Sequence, residues 1–243
     1  MPLDEKADFR PTPARMASFA PALYSRRTIV RMLLIMAIAL TVGTFLFFRG
    51  SQKERAFIQY AQVRQFAIQS TLDRFSSPII VLGDSIVELS TLPRSLCNHA
   101  VINAGISGAQ TTSGLGAILK QSLRGKRATL IILSLGTNDA LMSRSIDHFA
   151  GAYKALLADI TPLAEHVAVM AIPALDSPVE ANERVNAYNA VISMVAKEQG
   201  IDFVPLPQMP QPHTTDGLHL NIDGYSIWDA ALLDQAKLIC PRE

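Results

Sequence analysis

The stretch IIVLGDSIVEL, residues 79–89, begins as a short apolar run and breaks at Gly83, Asp84 and Ser85. Four more apolar runs follow along the chain, and stretches of helical length separate them. Short apolar runs that alternate with helices indicate parallel strands in a sheet that is covered on both faces. Because the crossovers in such sheets are right-handed, the sequence predicts a three-layer α/β/α sandwich around a five-stranded parallel sheet. The predicted strands are residues 78–82, 100–103, 128–135, 166–173 and 201–207, and the predicted helices are residues 110–124, 146–164, 180–199 and 224–238.

The composition of the chain excludes several classes of protein. Apolar residues make up 49% of the sequence and charged residues 18%, which fits neither a disordered chain nor a polytopic membrane protein. The formal net charge is only +1, whereas a nucleic-acid-binding protein needs a concentrated basic face. We therefore expect no nucleic acid among the partners.

An uncharged apolar run occupies residues 32–48, between Arg31 and Arg49. A helix of this length covers ~26 Å, which is close to the thickness of the hydrocarbon core of a bilayer. A buried core helix is the alternative, but a helix that is apolar on every side is unusual in a soluble domain. Together with the flanking arginines, which can reach the headgroups, the run predicts a transmembrane anchor over residues 29–48.

The same run differs from a cleaved signal peptide. It is longer than the usual apolar region of ~7–15 residues, and no small-x-small cleavage site follows it. Positive charges on its two sides are nearly balanced, and Arg10 and Arg15 favour a cytoplasmic N-terminus. The domain after the anchor would then be periplasmic or extracellular. The remaining predicted segments are a flexible tail at 1–28, a helical stalk or a helix lying against the domain at 49–77, and the globular domain at 78–243.

The chain has two cysteines, Cys97 and Cys240. In an oxidising compartment they could form a disulfide, but their separation in sequence says nothing about their distance in space. Two unpaired, buried thiols are the other interpretation, and the sequence leaves both open.

Polar loops follow the first three predicted strands. Ligands of open parallel sheets bind beyond the carboxyl ends of the strands, and Ser85, Gly105 and Asn138 stand at such ends. Each of these residues has a purely structural interpretation, as a helix cap, a tight turn or an Asx turn. Taken as a set, they would offer a hydroxyl, a closely approaching backbone N–H and a side-chain amide at one edge of the sheet.

The fourth loop, HTTDGLHLNIDGY at residues 213–225, places Asp216 three residues before His219. The acid can fold back onto Nδ1 of the imidazole and leave Nε2 free to act as a base. A serine is a poor nucleophile at its ordinary pKa, so Ser85 would need such an imidazole. His213 is a competing histidine, but no acid stands next to it in the sequence.

The four loops together resemble a known family. GDS at Ser85, the glycine of NAGISG, GTND and DGLHL resemble, in the same order, the four sequence blocks of the SGNH, or GDSL, hydrolases. The resemblance covers about residues 78–240, and Ile86 conservatively replaces the leucine of GDSL. It implies a flavodoxin-like sheet, and ester hydrolysis that needs no cofactor and no metal. The roles that it implies are Ser85 as nucleophile, His219 as base, Asp216 as the orienting acid, and the N–H groups of Ser85 and Gly105 with the Asn138 side chain as the oxyanion hole.

The substrate implied by the resemblance is a carboxylic ester of a small molecule, a lipid or a glycan. The α/β-hydrolase pattern G-x-S-x-G and the phosphate-binding loop pattern are both absent from the sequence. Two other functions remain open: an acyltransferase that uses the same site on a carbohydrate acceptor, and a catalytically silent glycan-binding module. The joint presence of a serine, an amide, an acid and a histidine argues against the silent module.

Overall fold

The computed structural model describes residues 25–176 and 179–240 of the 243-residue chain. Residues 1–24 lie outside the described residues; they hold most of the predicted tail and both arginines that were used to orient the anchor. The chain divides into two compact units, Met1–Lys53 and Glu54–Glu243.

The first element, α1, is a helix that spans Arg26–Leu72. Its apolar window of 18 residues has a mean hydropathy of 2.3 and is fully exposed. By length and composition α1 is therefore able to cross a membrane. A signal sequence near an N-terminus has the same character, so the helix alone does not distinguish an anchor from a signal.

The last part of α1 belongs to the second unit, which begins at Glu54 rather than at residue 78. Ala61, Ile68 and Leu72 are buried there in the same apolar cluster as the strands of the sheet. Of the two forms predicted for residues 49–77, this part of α1 therefore takes the second, a helix that lies against the domain.

The second unit is built on a six-stranded sheet in the order β2-β3-β1-β4-β5-β6. Five of the strands are parallel in the flavodoxin-like order, so the predicted α/β fold is confirmed. The sixth strand, β2, is antiparallel to β3 and was not predicted. The strands are β1 (Ile79–Gly83), β2 (Ser95–Leu96), β3 (His99–Gly105), β4 (Ala128–Ser134), β5 (Ala164–Met170) and β6 (Asp202–Val204).

Helices cover both faces of this sheet. Every residue of β1 and β4 is buried, and alternate side chains of these two strands enter two separate apolar clusters, one on each face. This two-sided burial explains why their sequences are continuous apolar runs. The helices are α2 (Ser85–Glu88), α3 (Leu115–Leu123), α4 (Thr137–Leu141), α5 (Ile146–Ile160) with a 3-10 turn at Thr161–Leu163, α6 (Val179–Gln199) and α7 (Ile222–Lys237).

The register of the sheet brings three strand ends together. Gly83, the last residue of β1, pairs with Gly105 on one side and with Ser134 on the other. The segments that follow β1, β3 and β4 therefore leave the sheet at the same edge, where the functional crevice of such folds lies.

Cys97 and Cys240 form a disulfide, with their Cα atoms 5.4 Å apart. Of the two interpretations that the sequence left open, the structure has the paired one. The bond joins the turn between β2 and β3 to the residues that follow α7.

Candidate active site

Ser85 is the first residue of α2, and only Asp84 separates it from the end of β1. The Oδ1 atom of Asp84 caps this helix by accepting the N–H of Ile86 at 2.9 Å. Glycine is required at Gly83, because a Cβ there would lie 2.1 Å from the carbonyl oxygen of Ser134. Within the described part of the chain, the N–H of Ser85 has no hydrogen-bond partner, as expected for the first turn of a helix.

The structure brings Ser85 together with Asp216 and His219. Nε2 of His219 lies 3.0 Å from Oγ of Ser85. Nδ1 of the same ring lies 2.7 Å from Oδ2 of Asp216. A carboxylate, an imidazole and a hydroxyl thus form one continuous line of short contacts, which is the geometry that proton transfer from the hydroxyl requires.

The loop that carries the acid and the histidine is a tight turn. Thr214 and Leu220 form an antiparallel bridge across it, and Gly217 has a φ of +90°, which favours glycine. Asp216 accepts the backbone N–H of Leu218 at 3.1 Å and of His219 at 2.8 Å. The carboxylate therefore holds both the backbone and the ring of the histidine.

These hydrogen bonds also favour the ionised form of Asp216. The backbone N–H and the ring of His219 lower the pKa of the carboxyl group to about 2. The side chain is 54% exposed, so solvent screens the effect, but the carboxylate is ionised throughout the physiological range. It is therefore able to stabilise an imidazolium.

Asn138 lies in α4, after β4, and its Nδ2 donates a hydrogen bond to the carbonyl of Ala109 at 3.0 Å. The buried carboxylate of Asp139 accepts the backbone N–H and the hydroxyl of Thr111 at 3.0 and 2.7 Å. The two contacts tie the segment after β3 to α4. The second Nδ2 hydrogen of Asn138 has no partner among the described residues and is free to bind a ligand.

Gly105 does not offer the free N–H that the sequence predicted. Its N–H donates to Oδ1 of Asn103 at 3.0 Å. A Cβ at this position would lie 2.2 Å from the backbone nitrogen of Glu88, so glycine is needed here for the close packing of α2 against β3. The residue supports the site by packing.

Gly108 is a second glycine of the same block, and the sequence did not single it out. It has a φ of +79°, and its N–H has no hydrogen-bond partner in the described ranges. It immediately precedes Ala109, which receives the hydrogen bond of Asn138. The available signal was the second glycine of NAGISG, which stands in the loop itself rather than in the strand.

His213 is fully buried and does have an acidic partner, although none is adjacent in sequence. Its Nε2 lies 2.8 Å from the carbonyl oxygen of Ala174. Its Nδ1 lies 3.0 Å from Oδ1 of Asp176, without the alignment of a hydrogen bond. The ring thus holds the loop to residues 174–176, while His219 is the histidine that meets Ser85.

A second carboxyl group, that of Asp84, lies beside the serine. Burial raises the pKa of Asp84 to about 6, although the Ile86 N–H and the Thr137 hydroxyl favour the ionised form. Its Oδ2 makes no hydrogen bond of standard geometry within the described residues, so Thr137 compensates the burial only weakly. Asp84 therefore titrates close to neutral pH.

No group of three or more His, Cys, Asp or Glu side chains that could hold a metal ion occurs in the described segments.

The sequence matches a family model described as the GDSL-like Lipase/Acylhydrolase family over residues 81–227. This range includes the serine, the glycine-containing loop, the asparagine, the acid and the histidine described above. No curated protein matches the sequence.

Solved structures share the fold at low sequence identity. A protein from Streptococcus pneumonia is 24% identical with a TM-score of 0.62, and the match covers 82% of this chain and 98% of that one. A lipase/acylhydrolase from Enterococcus faecalis is 20% identical with a TM-score of 0.58, with coverages of 69% and 98%. A carbohydrate acetylesterase from Sinorhizobium meliloti is 17% identical with a TM-score of 0.56, with coverages of 67% and 99%.

Proposed function

The chain belongs to the GDSL-like lipase/acylhydrolase family, and from this membership we propose that it hydrolyses a carboxylic ester through an acyl-enzyme on Ser85. The observation that carries the proposal is the line of contacts from Asp216 through His219 to Ser85, at 2.7 and 3.0 Å. An imidazole at this distance from a hydroxyl is placed to remove its proton and so to create the nucleophile.

In the first half of the reaction, Oγ of Ser85 bonds to the ester carbonyl carbon while Nε2 of His219 takes the proton. The carbonyl oxygen becomes an oxyanion, which accepts hydrogen bonds from the Ser85 N–H, the free Asn138 N–H and the Gly108 N–H. Gly108 takes the place that the sequence suggested for Gly105. The bond to the alcohol oxygen then breaks, and His219 returns the proton to the leaving alcohol.

In the second half, water attacks the acyl-enzyme and loses a proton to His219. The acid is released as Ser85 recovers its hydrogen. Asp216 remains ionised and stabilises the imidazolium in both halves, as its low pKa requires.

For the substrate, we propose a short-chain ester carried by a carbohydrate. The similarity in fold to a carbohydrate acetylesterase supports this class. The exposure of the site also supports it, since the His219 side chain is 29% exposed and that of Asp216 54%. The open solvent beside these two side chains leaves room for a bulky alcohol.

We further propose that residues 29–48 anchor the chain in a membrane, with the catalytic domain outside the cytoplasm. The length and apolar character of α1 support the anchor, and the Cys97–Cys240 disulfide supports an oxidising compartment. Carbonate extraction of membranes with intact-cell proteolysis tests both points. A mature protein that starts beyond residue 48 would identify a signal sequence instead, and a protease-protected domain would reverse the orientation.

The central test replaces the nucleophile in the full-length chain. Ser85→Ala should lower kcat on p-nitrophenyl acetate by roughly 10⁶, because the three side chains act as a unit. It should also abolish labelling by a fluorophosphonate. The matched control is Ser76→Ala, at an exposed serine with no hydrogen bond to other described residues, which should retain full activity. Equal turnover of Ser85→Ala and the wild type would refute the assignment.

Product analysis separates hydrolysis from the alternatives. Acetylated oligosaccharides, p-nitrophenyl esters of rising chain length and lysophospholipids form the substrate panel, with and without a free sugar acceptor. Release of free acetate in both conditions supports the proposal. Transfer of the acyl group to the sugar would identify a transferase, and failure of the probe to label the wild type would identify a silent binding module.

A further inference from the structure

Glu88 is a carboxylate on which α1 and the loop after β3 converge. From α1, the hydroxyl of Tyr60 donates to Oε1, and Nε of Arg64 lies 3.4 Å from the same oxygen. From the loop, the N–H and the hydroxyl of Ser107 donate to Oε2 at 2.6 and 2.8 Å. Oε1 of the carboxylate thus contacts α1, and Oε2 contacts the loop after β3.

Glu88 is also the last residue of α2, the short helix that begins with Ser85. Its N–H donates to the carbonyl of Asp84 at 3.0 Å, and Gly105 packs against its backbone. The carboxylate therefore joins the helix that carries the serine to the residue that precedes Gly108.

Residues 54–72 of α1 also contact the segment on both sides of Ser107. On one side, Nε of Arg64 donates to the carbonyl of Gly105 at 2.9 Å. On the other, a Cβ added to Gly108 would lie 3.7 Å from the ring of Phe57, so the two residues are close neighbours. One helix thus contacts the chain on both sides of Ser107, and residues 106–109 are defined as the oxyanion loop.

Glu88 is ionised at neutral pH, which favours its contacts with Tyr60, Arg64 and Ser107. Burial opposes ionisation of Glu88, but hydrogen bonds from Tyr60 and Ser107 and the charge of Arg64 outweigh it and lower the pKa. The Arg64 and Glu88 side chains are only 23% and 15% exposed, so solvent screens the pair less than it would a surface pair.

We propose that Tyr60 and Arg64 are positioning residues for ester hydrolysis, acting through Glu88 and Ser107 to hold the N–H of Gly108 in the oxyanion hole. The inference rests on the proposed function, because it concerns the same oxyanion. The segment for which the sequence predicts either a stalk or a helix lying against the domain then also positions the oxyanion hole. Without Tyr60, Arg64 and Glu88, the loop after β3 loses the contacts that orient it.

The test measures kcat and KM of the full-length protein on p-nitrophenyl acetate. Arg64→Ala and the isosteric Glu88→Gln should each lower kcat by about 10- to 100-fold, the effect of a displacement on the order of 1 Å at the reacting centre. KM should stay within about threefold, because the loop binds the transition state more than the ground state. Arg55→Ala, at an exposed arginine of the same helix that contacts no charged or hydrogen-bonding group among the described residues, should match the wild type.

Two further variants separate positioning from folding. Tyr60→Phe removes one hydroxyl without opening a cavity, and it should lower kcat severalfold with an unchanged Tm. In an Asn138→Ala background, where one oxyanion donor is already missing, Arg64→Ala should cost less than it does in the wild type.

The outcomes separate this inference from the proposed function. A wild type without Ser85-dependent turnover overturns the proposed function and this inference with it. An active wild type whose Arg64→Ala, Glu88→Gln and Tyr60→Phe variants keep the full kcat overturns only the positioning role. So does a cost of Arg64→Ala that is the same in both backgrounds, or one that appears in KM alone.

Discussion

Gly105 and Gly108 stand in one six-residue block, NAGISG, yet they differ in backbone conformation and in the space around them. An added Cβ at Gly105 meets the backbone of Glu88 at 2.2 Å, and backbone cannot move aside cheaply. An added Cβ at Gly108 has room, at 3.7 Å from Phe57, but the φ of +79° strains any other residue.

The two alanine variants should therefore fail in different ways. Gly105→Ala should lower the free energy of unfolding by about 3 kcal/mol, at the upper end of the usual cost of overpacking. Gly108→Ala should lower it by only about 1–2 kcal/mol while kcat falls by about 10², because the donor N–H moves. Urea unfolding and kcat measured side by side check the pair. Equal stability losses, or full activity in Gly108→Ala, would contradict this division of roles.

Asp84 makes the stability of the domain depend on pH. Burial raises its pKa from 3.8 to about 6, so between these values the folded state keeps a proton that the unfolded state releases. The contribution of Asp84 to the free energy of unfolding is therefore most favourable below pH about 4, and it is lost as the pH rises through 6. Two pKa units correspond to about 3 kcal/mol for this fully buried group.

Asp84→Asn should remove this dependence, because the amide still accepts the N–H of Ile86 but carries no charge. We expect the variant to be more stable than the wild type at pH 8 by up to about 3 kcal/mol, and the difference to vanish near pH 4. Urea denaturation at pH 4, 6 and 8 measures it. Curves for the two proteins that run parallel across this range would be inconsistent with a raised pKa.

Among the helices, α1 allows the sharpest test of what belongs to the domain. Ile68 is 3% exposed and packs with the core, whereas Phe66, two residues earlier, is 74% exposed. Ile68→Ala should cost about 2–4 kcal/mol through the lost burial and the cavity. Phe66→Ala should change stability by no more than about 0.5 kcal/mol. Chemical denaturation of the full chain in detergent checks both, and similar losses would argue that this part of α1 does not pack on the domain.

Elements whose signal is local were predictable from the sequence. The runs of β1 and β4 were clear because burial on both faces leaves no polar positions. The sequence predicts that this stretch becomes helical at residue 110, but α3 starts five residues later, because residues 110–113 form a turn and Gly114 has a φ of +73°. β2 was missed because it has only two residues, although Cys97 and Asn98, with φ of 51° and 64°, form the short turn of its hairpin.

The contacts of the candidate site were likewise predictable where they are local in the sequence, and less so where they join distant segments. Asp216 and His219 could be paired from the sequence, since only two residues, one of them a glycine, lie between them. The contact of His219 with Ser85 joins residues 134 positions apart, so it was predictable only through the expected topology of the sheet. Contacts without such a guide, between Asp176 and His213 and between Glu88 and α1, were not foreseen, because packing alone brings these segments together.

The Cys97–Cys240 disulfide joins the β2–β3 turn to the C-terminal end of the second unit, at a distance from the candidate site. Cys97 stands in the turn that leads into β3, whereas the site lies beyond the other end of that strand, which spans ~20 Å. The bond closes a loop with a sequence separation of 143, so its loss should cost about 3–5 kcal/mol, chiefly by releasing the unfolded chain.

The variant that replaces Cys97 and Cys240 by serine should therefore unfold at lower urea but keep kcat within about twofold, since no residue of the proposed triad moves. Reductant should lower the Tm of the wild type to that of the variant and leave the variant unchanged.

Because such a bond persists only where the surroundings are oxidising, the protein taken from cells under alkylating conditions should carry no free thiol. Free thiols at both positions would instead place the folded domain in a reducing compartment and contradict the proposed location outside the cytoplasm.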